Sequence, residues 1–447
     1  MSPDDAPSTS PAAEAFARLS SREKAALCRA SLPRAEAAAR ELVTASCRAR
    51  GLDSAGPWAG GEWLSGPIPI VATLRGWAAS LEAAGPDLRR LRVRGDGRLA
   101  LPLSASTTAE RLRQGEVVVL FVEGTTRGDL TAPSDPAATT AKQIAARPGP
   151  FARPALAALH ALFVERRVAE VLLHPTLHPA RAALEASLAP LVEPGFVRFV
   201  EASAGDLDAL DPKPEPRLAP LFITPALYAT DELTRLARRV ASQNADPAWE
   251  GAASASLLVT AHGWPQAPLF EDLVSRALAA LPARDGLTPR LEAKSSPAPA
   301  APGLVQTMII GASEPLDFVS VLTALTTDLL PDAPSAEIAA HTLQEEDEAF
   351  AAALERIAAS LPVPVVGLSR WPGEALGIPS APCFSQNTLG LSRVDKVIIK
   401  GSLRAALAPD HLVGHRRMPA LAERLCHFAA SPGIGALPGI AAASLRG

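Results

Sequence analysis

Gly251-Ala-Ala-Ser-Ala-Ser-Leu-Leu-Val-Thr-Ala-His-Gly-Trp-Pro-Gln266 is the stretch from which the fold of this chain can be read. Ser256 to Ala261 is a short apolar run rich in β-formers, and His262-Gly263-Trp264-Pro265 ends it at a turn. Amphipathic spacing then runs from Leu269 to Leu281. A strand, a sharp turn and a helix place the turn residues at the rim of a sheet, where α/β proteins usually keep their chemistry.

The flanking sequence repeats this alternation. Helical spacing runs through Asp231 to Gln243, and Leu221 to Thr224 reads as a strand before it. Upstream, Val168 to Leu173 and Val197 to Glu201 read as strands, with helices at Pro154 to Val164 and Ala180 to Leu191. Downstream, Leu304 to Ile310, Val363 to Val366 and Val397 to Ile399 are strands, and Glu314 to Leu330, Asp347 to Leu361 and Met418 to Ala430 are helices. Such alternation predicts a parallel sheet with helical crossovers.

Nearer the N-terminus, Ser20 and Glu23 have the spacing of a capping box, opening a helix to about Ser31. Pro33 opens a second, which stops at Gly51. Ile70 to Gly85 carries one apolar helical stripe. Leu91 to Arg94 and Arg98 to Leu103 flank Gly95-Asp96-Gly97 as a hairpin, because a phosphate-binding turn would have to lead into a helix. Glu116 to Val122 is a strand covered on both faces, Ala132 to Pro150 a Pro- and Ala-rich connector, and Asp206 to Pro216 a loop.

With 447 residues the chain can bury two or three cores, and at 48% hydrophobic and 20% charged residues most of it should fold. A net charge of −4 and 4% aromatics give neither a phosphate-tracking surface nor a stacking platform, so no nucleic-acid partner is expected. Met1 to Ala12 lacks the pattern of a secretory signal, and no apolar run reaches the roughly 20 residues of a membrane span. A cytoplasmic protein without membrane contact is the expectation. Cys28, Cys47, Cys383 and Cys426 have no CxxC spacing, so neither disulfides nor a thiolate zinc site is predicted.

Two constellations fail on their own chemistry. A hydrolase elbow needs small residues on both sides of its Ser, but Ser313, Ser369 and Ser392 are followed by Pro315, Trp371 and Val394 where the second Gly belongs. An α/β-type hydrolase is therefore only a remote alternative. His174 with His178, and His411 with His415, have a spacing useful only on a regular helix, which Pro175, Pro179 and Gly414 disfavour. No metal is expected.

Longer motifs bear a family likeness. Glu62-Trp63-Leu64-Ser65-Gly66-Pro67, Leu162-Phe163-Val164-Glu165, the strand Leu257 to Ala261, Pro364-Val365-Val366-Gly367 before Trp371, Ser385-Gln386-Asn387-Thr388-Leu389, Lys400-Gly401 and Pro438-Gly439-Ile440 occur in one order. Over most of Gly60 to Gly447 the chain resembles a divergent member of the aldehyde dehydrogenase superfamily. The resemblance implies an α/β fold with a Rossmann-type parallel-sheet cofactor domain, an α/β catalytic-type domain and N-terminal helices. The residues themselves give a disordered tail at 1–14 and helices at 15–59; the resemblance implies a cofactor-binding-like domain at 60–225, a catalytic-like domain at 226–393, and a C-terminal segment at 394–447 returning to the cofactor or oligomerisation region. It also implies NAD or NADP as cofactor, and a homo-oligomer or association with a related subunit.

The same resemblance locates the roles to be filled. A Cys thiolate should attack the aldehyde, a Glu should activate the deacylating water, and an Asn should hold the oxyanion. Ala252 occupies the nucleophile position, and no Cys lies between Cys47 and Cys383. Arg147-Pro148-Gly149-Pro150 offers no Asn, and Leu172, Leu173 and His174 stand where the cofactor Lys belongs. Glu215, between two prolines, lies near the general-base position and is the general-base candidate; Glu314 and His174 are the cofactor-contacting candidates. Loss of a nucleophile in a comparable covalent mechanism costs roughly 10⁶-fold in turnover, about 8 kcal/mol of barrier. A degenerate, inactive protein with a binding, structural or regulatory role is the expectation; the alternative is an NAD(P)-dependent oxidoreductase acting on an aldehyde or acyl group with non-standard residues.

Overall fold

The structure, a computed structural model, describes residues 10–82, 91–93, 99–104, 117–122, 141–163, 165–210, 219–246, 255–284, 290–293, 304–310, 318, 321–322, 336–341, 347–363, 365–369, 394–400 and 416–445. Helix α1 (Pro11–Arg18) buries Phe16 against Phe163 and Phe196. The capping box then forms: Ser20 N–H donates to Glu23 Oε2 at 2.7 Å, and Glu23 N–H donates to Ser20 Oγ. The helix it opens, α2 (Ser21–Ala49), does not stop near Ser31 but runs on through Pro33. Proline removes one ladder bond, yet the buried face from Ala25 and Cys28 continues through Ala35, Ala39, Leu42 and Val43 on the same side, and packing outweighs the local penalty of about 3 kcal/mol. Gly51, at φ +68°, ends the helix; Gly51 N–H bonds Arg48 O and Leu52 N–H bonds Cys47 O, closing its last turn.

Two further helices, α3 (Ala59–Ser65) and α4 (Pro67–Glu82), complete the N-terminal group, with Trp77 fully buried. Strands β1 (Arg92–Val93) and β2 (Leu99–Ser104) pair antiparallel as a hairpin would, and β3 (Val117–Val122) pairs with β2. The segment read as a connector contains β4 (Lys142–Ala146), an edge strand paired with β5 (Ala169–Leu173). Its half-buried pattern left little apolar signal in the sequence. Helix α5 (Arg153–Phe163) lies between them. After β5 come a 3₁₀ turn (Pro175–Ala180), α6 (Arg181–Ser187), α7 (Ala189–Val192) and β6 (Val197–Glu201). The expected loop begins instead with α8 (Ala204–Leu210), started by an Asp version of the capping box: Ser203 N–H donates to Asp206 Oδ2 at 2.9 Å.

The rest of the chain builds the larger sheet. It contributes β7 (Ala219–Ile223), α9 (Thr230–Ala245), β8 (Ala255–Ala261), α10 (Ala267–Ala279), β9 (Arg290–Ala293), β10 (Leu304–Ile310) and β11 (Ala336–Ala339). Helix α11 (Glu348–Ser360), capped by Asp347, β12 (Val365–Leu368), β13 (Val394–Lys400), α12 (Met418–Ala430) and α13 (Leu437–Leu445) follow. β9, β11 and α13 were not expected from the sequence; β9 and β11 are only four residues each.

Strand pairing gives the fold its order. β4, β5 and β6 form a three-stranded parallel sheet. The ten-stranded sheet runs β1-β2-β3-β13-β12-β11-β7-β8-β10-β9, parallel from β13 to β9 and antiparallel where β1, β2 and β3 extend it. β7 thus pairs within the larger sheet, across the division drawn at residue 225. Alternate residues of its strands serve opposite faces: Leu258 packs with Leu236, Val240 and Phe270, whereas Leu257 and Val259 pack with Ile338 and Leu354. The smaller sheet shares its core with α1–α4 and α12, through Phe16, Leu42, Trp77, Phe199 and Leu421. Among the described residues no helix is long and apolar enough to cross a membrane.

Candidate functional site

In the larger sheet the chain passes from β7 to β8 on one side and later returns to β11 on the other. The gap between the carboxyl ends of β7 and β11 is therefore a topological switch point, where open α/β sheets bind ligands. Here that gap is filled from within. Tyr228, the chain's single tyrosine, is buried with its hydroxyl 2.8 Å from Thr224 O, 3.1 Å from Ala339 O and 3.0 Å from Thr224 Oγ1. Its ring meets Trp264 and His341 edge-on. The loop is held at both ends: Trp264 Nε1 donates to Ala226 O, and the Gln266 side chain bonds both the N–H and the C=O of Tyr228.

Behind the tyrosine, His341 Nε2 lies 3.2 Å from Glu232 Oε2, and the same carboxylate oxygen accepts the Ala229 N–H at the start of α9. Glu232 is wholly buried and His341 nearly so. Ser369 follows β12 at φ +51°, the left-handed conformation a strained nucleophile turn would use. Its Oγ is buried and accepts the Ala340 N–H at 3.1 Å, while its own N–H bonds Ile338 O. Ser369 therefore clips β12 to β11. Arg239 reaches Glu337 in β11 and Ser369 O, tying α9 to the same edge.

Ala252 lies in the link between α9 and the amino end of β8; Ala252, Glu215 and Glu314 are all outside the described residues. What is described next to that link is a buried charge cluster. Arg50 Nε lies 2.9 Å from Glu62 Oε1, Arg50 Nη2 donates to Gly149 O, and the Arg284 guanidinium lies over Trp58. Burial pushes the Glu62 carboxyl above its ordinary value, against the pull of Arg50. Gly61 lets the Asp246 side chain approach closely: a Cβ there would stand 2.4 Å from Asp246 Oδ2. Burial, with Glu62 nearby, pushes the Cys47 thiol up to about 12. Burial does the same to Cys426, to about 12, and raises Cys28 further. None of these three is a thiolate near neutral pH; Cys383 is outside the described residues.

At the carboxyl rim of the smaller sheet, His174 leaves β5 and caps the 3₁₀ turn, its Nδ1 accepting the Thr176 N–H. His178 Nε2 is 2.9 Å from Leu173 O. A turn of three residues does not bring positions four apart to one side, so the structure does not align this pair as metal ligands. No group of three or more His, Cys, Asp or Glu among the described residues is placed to hold a metal; His411 and His415 are outside them. Arg147, at the end of β4, bonds Asp208 Oδ1 at 2.8 Å and Leu207 O at 3.2 Å. Asp206 accepts both the N–H and the hydroxyl of Ser203, which hold its carboxyl below the usual range. A dinucleotide pyrophosphate needs N–H donors and cations here; the described rim offers carboxylates and guanidiniums already engaged with them, Arg147 with Asp208 and Arg181 with Glu185 and Glu201, and does not fit it.

Sequence reasoning brought out His174 but missed Glu232, His341, Tyr228 and the clip at Ser369. The rarity of tyrosine was the one available signal. Glu232 and His341 carry no local motif, because their pairing depends on β7 and β11 becoming neighbours.

No protein-family model and no curated protein matches this sequence. Similar solved structures include aldehyde dehydrogenases. A succinate-semialdehyde dehydrogenase from Burkholderia pseudomallei is 12% identical with a TM-score of 0.48, over 88% of this chain and 87% of that one. A probable aldehyde dehydrogenase from Listeria monocytogenes is 11% identical with a TM-score of 0.47, over 87% and 92%. An acetylating aldehyde dehydrogenase from Geobacillus thermoglucosidasius is 10% identical with a TM-score of 0.45, over 88% and 93%.

Proposed function

We propose that this chain is an aldehyde-dehydrogenase-type protein that no longer performs dehydrogenase chemistry and acts instead as a cytoplasmic binding, structural or regulatory protein, self-associated or joined to a related subunit. The observation that carries this reading is the lack of an available thiolate among the described residues, together with the alanine at position 252. Ala252 stands at the nucleophile position, and the three described cysteines are buried with their thiols raised. An alcohol such as Ser254 cannot replace a thiolate at neutral pH without an adjacent base.

The test is turnover. Purified chain, NAD or NADP and a panel of aldehydes should give no NAD(P)H above the protein-free blank. Substrate-dependent NAD(P)H formation that disappears in Glu215→Ala or Ser254→Ala would sink the reading. Ala252→Cys should restore little activity, because the positions of the Asn and the Lys are also changed.

A further inference from the structure

We infer that the carboxyl rim of the smaller sheet, where a dinucleotide would be expected, is closed by the chain's own side chains and binds neither NAD nor NADP. This rests on the proposed fold type for the place in question, but not on the loss of turnover. Three features converge. The strands lie in the order β4-β5-β6, which is also their chain order, so the described sheet contains no reversal to open a crevice. Where β6 turns into α8, Asp206 puts a carboxylate on the Ser203 N–H and hydroxyl, and Asp206 N–H is turned to Ser203 Oγ at 3.2 Å. Two backbone donors of this turn are thus engaged, the Ser203 N–H by an anion that repels a phosphate and the Asp206 N–H by a hydroxyl.

Arg147 supplies the third feature. It is a cation of this rim at the end of β4, with a side chain only 15% exposed, and it bridges to Asp208 and Leu207 O across the mouth of the sheet; Arg181, the cation beside the end of β6, is likewise engaged, 2.8 Å from Glu185 and 3.6 Å from Glu201. To recruit Arg147, a pyrophosphate would have to displace a carboxylate already in hydrogen-bond contact and then lie beside both Asp206 and Asp208. His174, at the end of β5, points its Nδ1 at Thr176 rather than outward as an ammonium would.

The experiment titrates the full chain with NADH and NADPH by nucleotide fluorescence, and with NAD⁺ and NADP⁺ by equilibrium dialysis, to millimolar concentration. Two variants accompany it: Gly205→Glu, where a Cβ meets nothing nearer than Ser203 Oγ at 3.7 Å, and Thr176→Glu, at an exposed position. No saturable binding is the expected result. Saturable binding that survives in both folded variants would place the nucleotide elsewhere and leave the rim closed. Saturable binding lost in either folded variant overturns the inference. Variant-sensitive binding without turnover would defeat this inference alone, whereas aldehyde-dependent turnover would defeat the proposed function.

Discussion

Glu232→Ala should be among the most damaging single substitutions in the larger sheet. Glu232 Oε2 accepts the Ala229 N–H at 3.0 Å and lies 3.2 Å from His341 Nε2. Loss of a helix-start acceptor costs about 1 kcal/mol, and loss of a hydrogen bond to a charged group about 1.5–3 kcal/mol. The alanine would also leave the buried imidazole without that acceptor, so the expected loss is about 2.5–4 kcal/mol on these terms. Glu232→Gln keeps an amide oxygen for one contact and should lose roughly half as much. Urea unfolding of wild type, both Glu232 variants, His341→Ala and the Glu232→Ala/His341→Ala double variant measures this directly. The cycle should give a coupling of about 0.5–3 kcal/mol, as for residues in one network. A Glu232→Ala loss below about 0.5 kcal/mol, the range of an uninvolved surface change, or additive single effects, would refute the assignment of this pair.

Two other predictions concern the helical part. Gly60→Ala would set a Cβ 2.4 Å from Met418 Cγ and 3.1 Å from its backbone carbonyl carbon, so α12 must retreat from α3; a loss of about 1–3 kcal/mol is expected, against no more than about 0.5 kcal/mol for Gly433→Ala, which meets nothing within 4 Å. Equal stability of the two variants in urea would show that the close approach is wrong. Glu62 has a folded-state value raised by burial, so the folded chain holds its proton more tightly than the unfolded chain does. Its contribution to stability is full below the ordinary value of 4.5 and is lost as pH rises through the raised one. The stability of Glu62→Gln relative to wild type should therefore improve as pH rises from 4.5; a pH-independent difference would contradict a desolvated carboxyl.

Local features were legible to the extent that they were local. The Ser20–Glu23 box, the stop at Gly51, the cap at Asp347 and the apolar runs of β8 and β10 each state their structure within a few residues. The misreadings share one cause. Pro33 reads as a helix start and β4 as a connector because the buried face that carries α2 through Pro33, and the partner strand that defines β4, lie elsewhere in the chain.

The sequence by itself determined the α/β alternation, the likeness to a known family and the alanine at position 252, since periodicity and residue identity need no partner. Only the tertiary structure decided that Tyr228 fills the gap between β7 and β11, that Glu232 meets His341, and that Arg147 bridges to Asp208. Those outcomes depend on which strand ends become neighbours and which charges lose water together, and desolvation acts on groups brought together in space regardless of their separation along the chain.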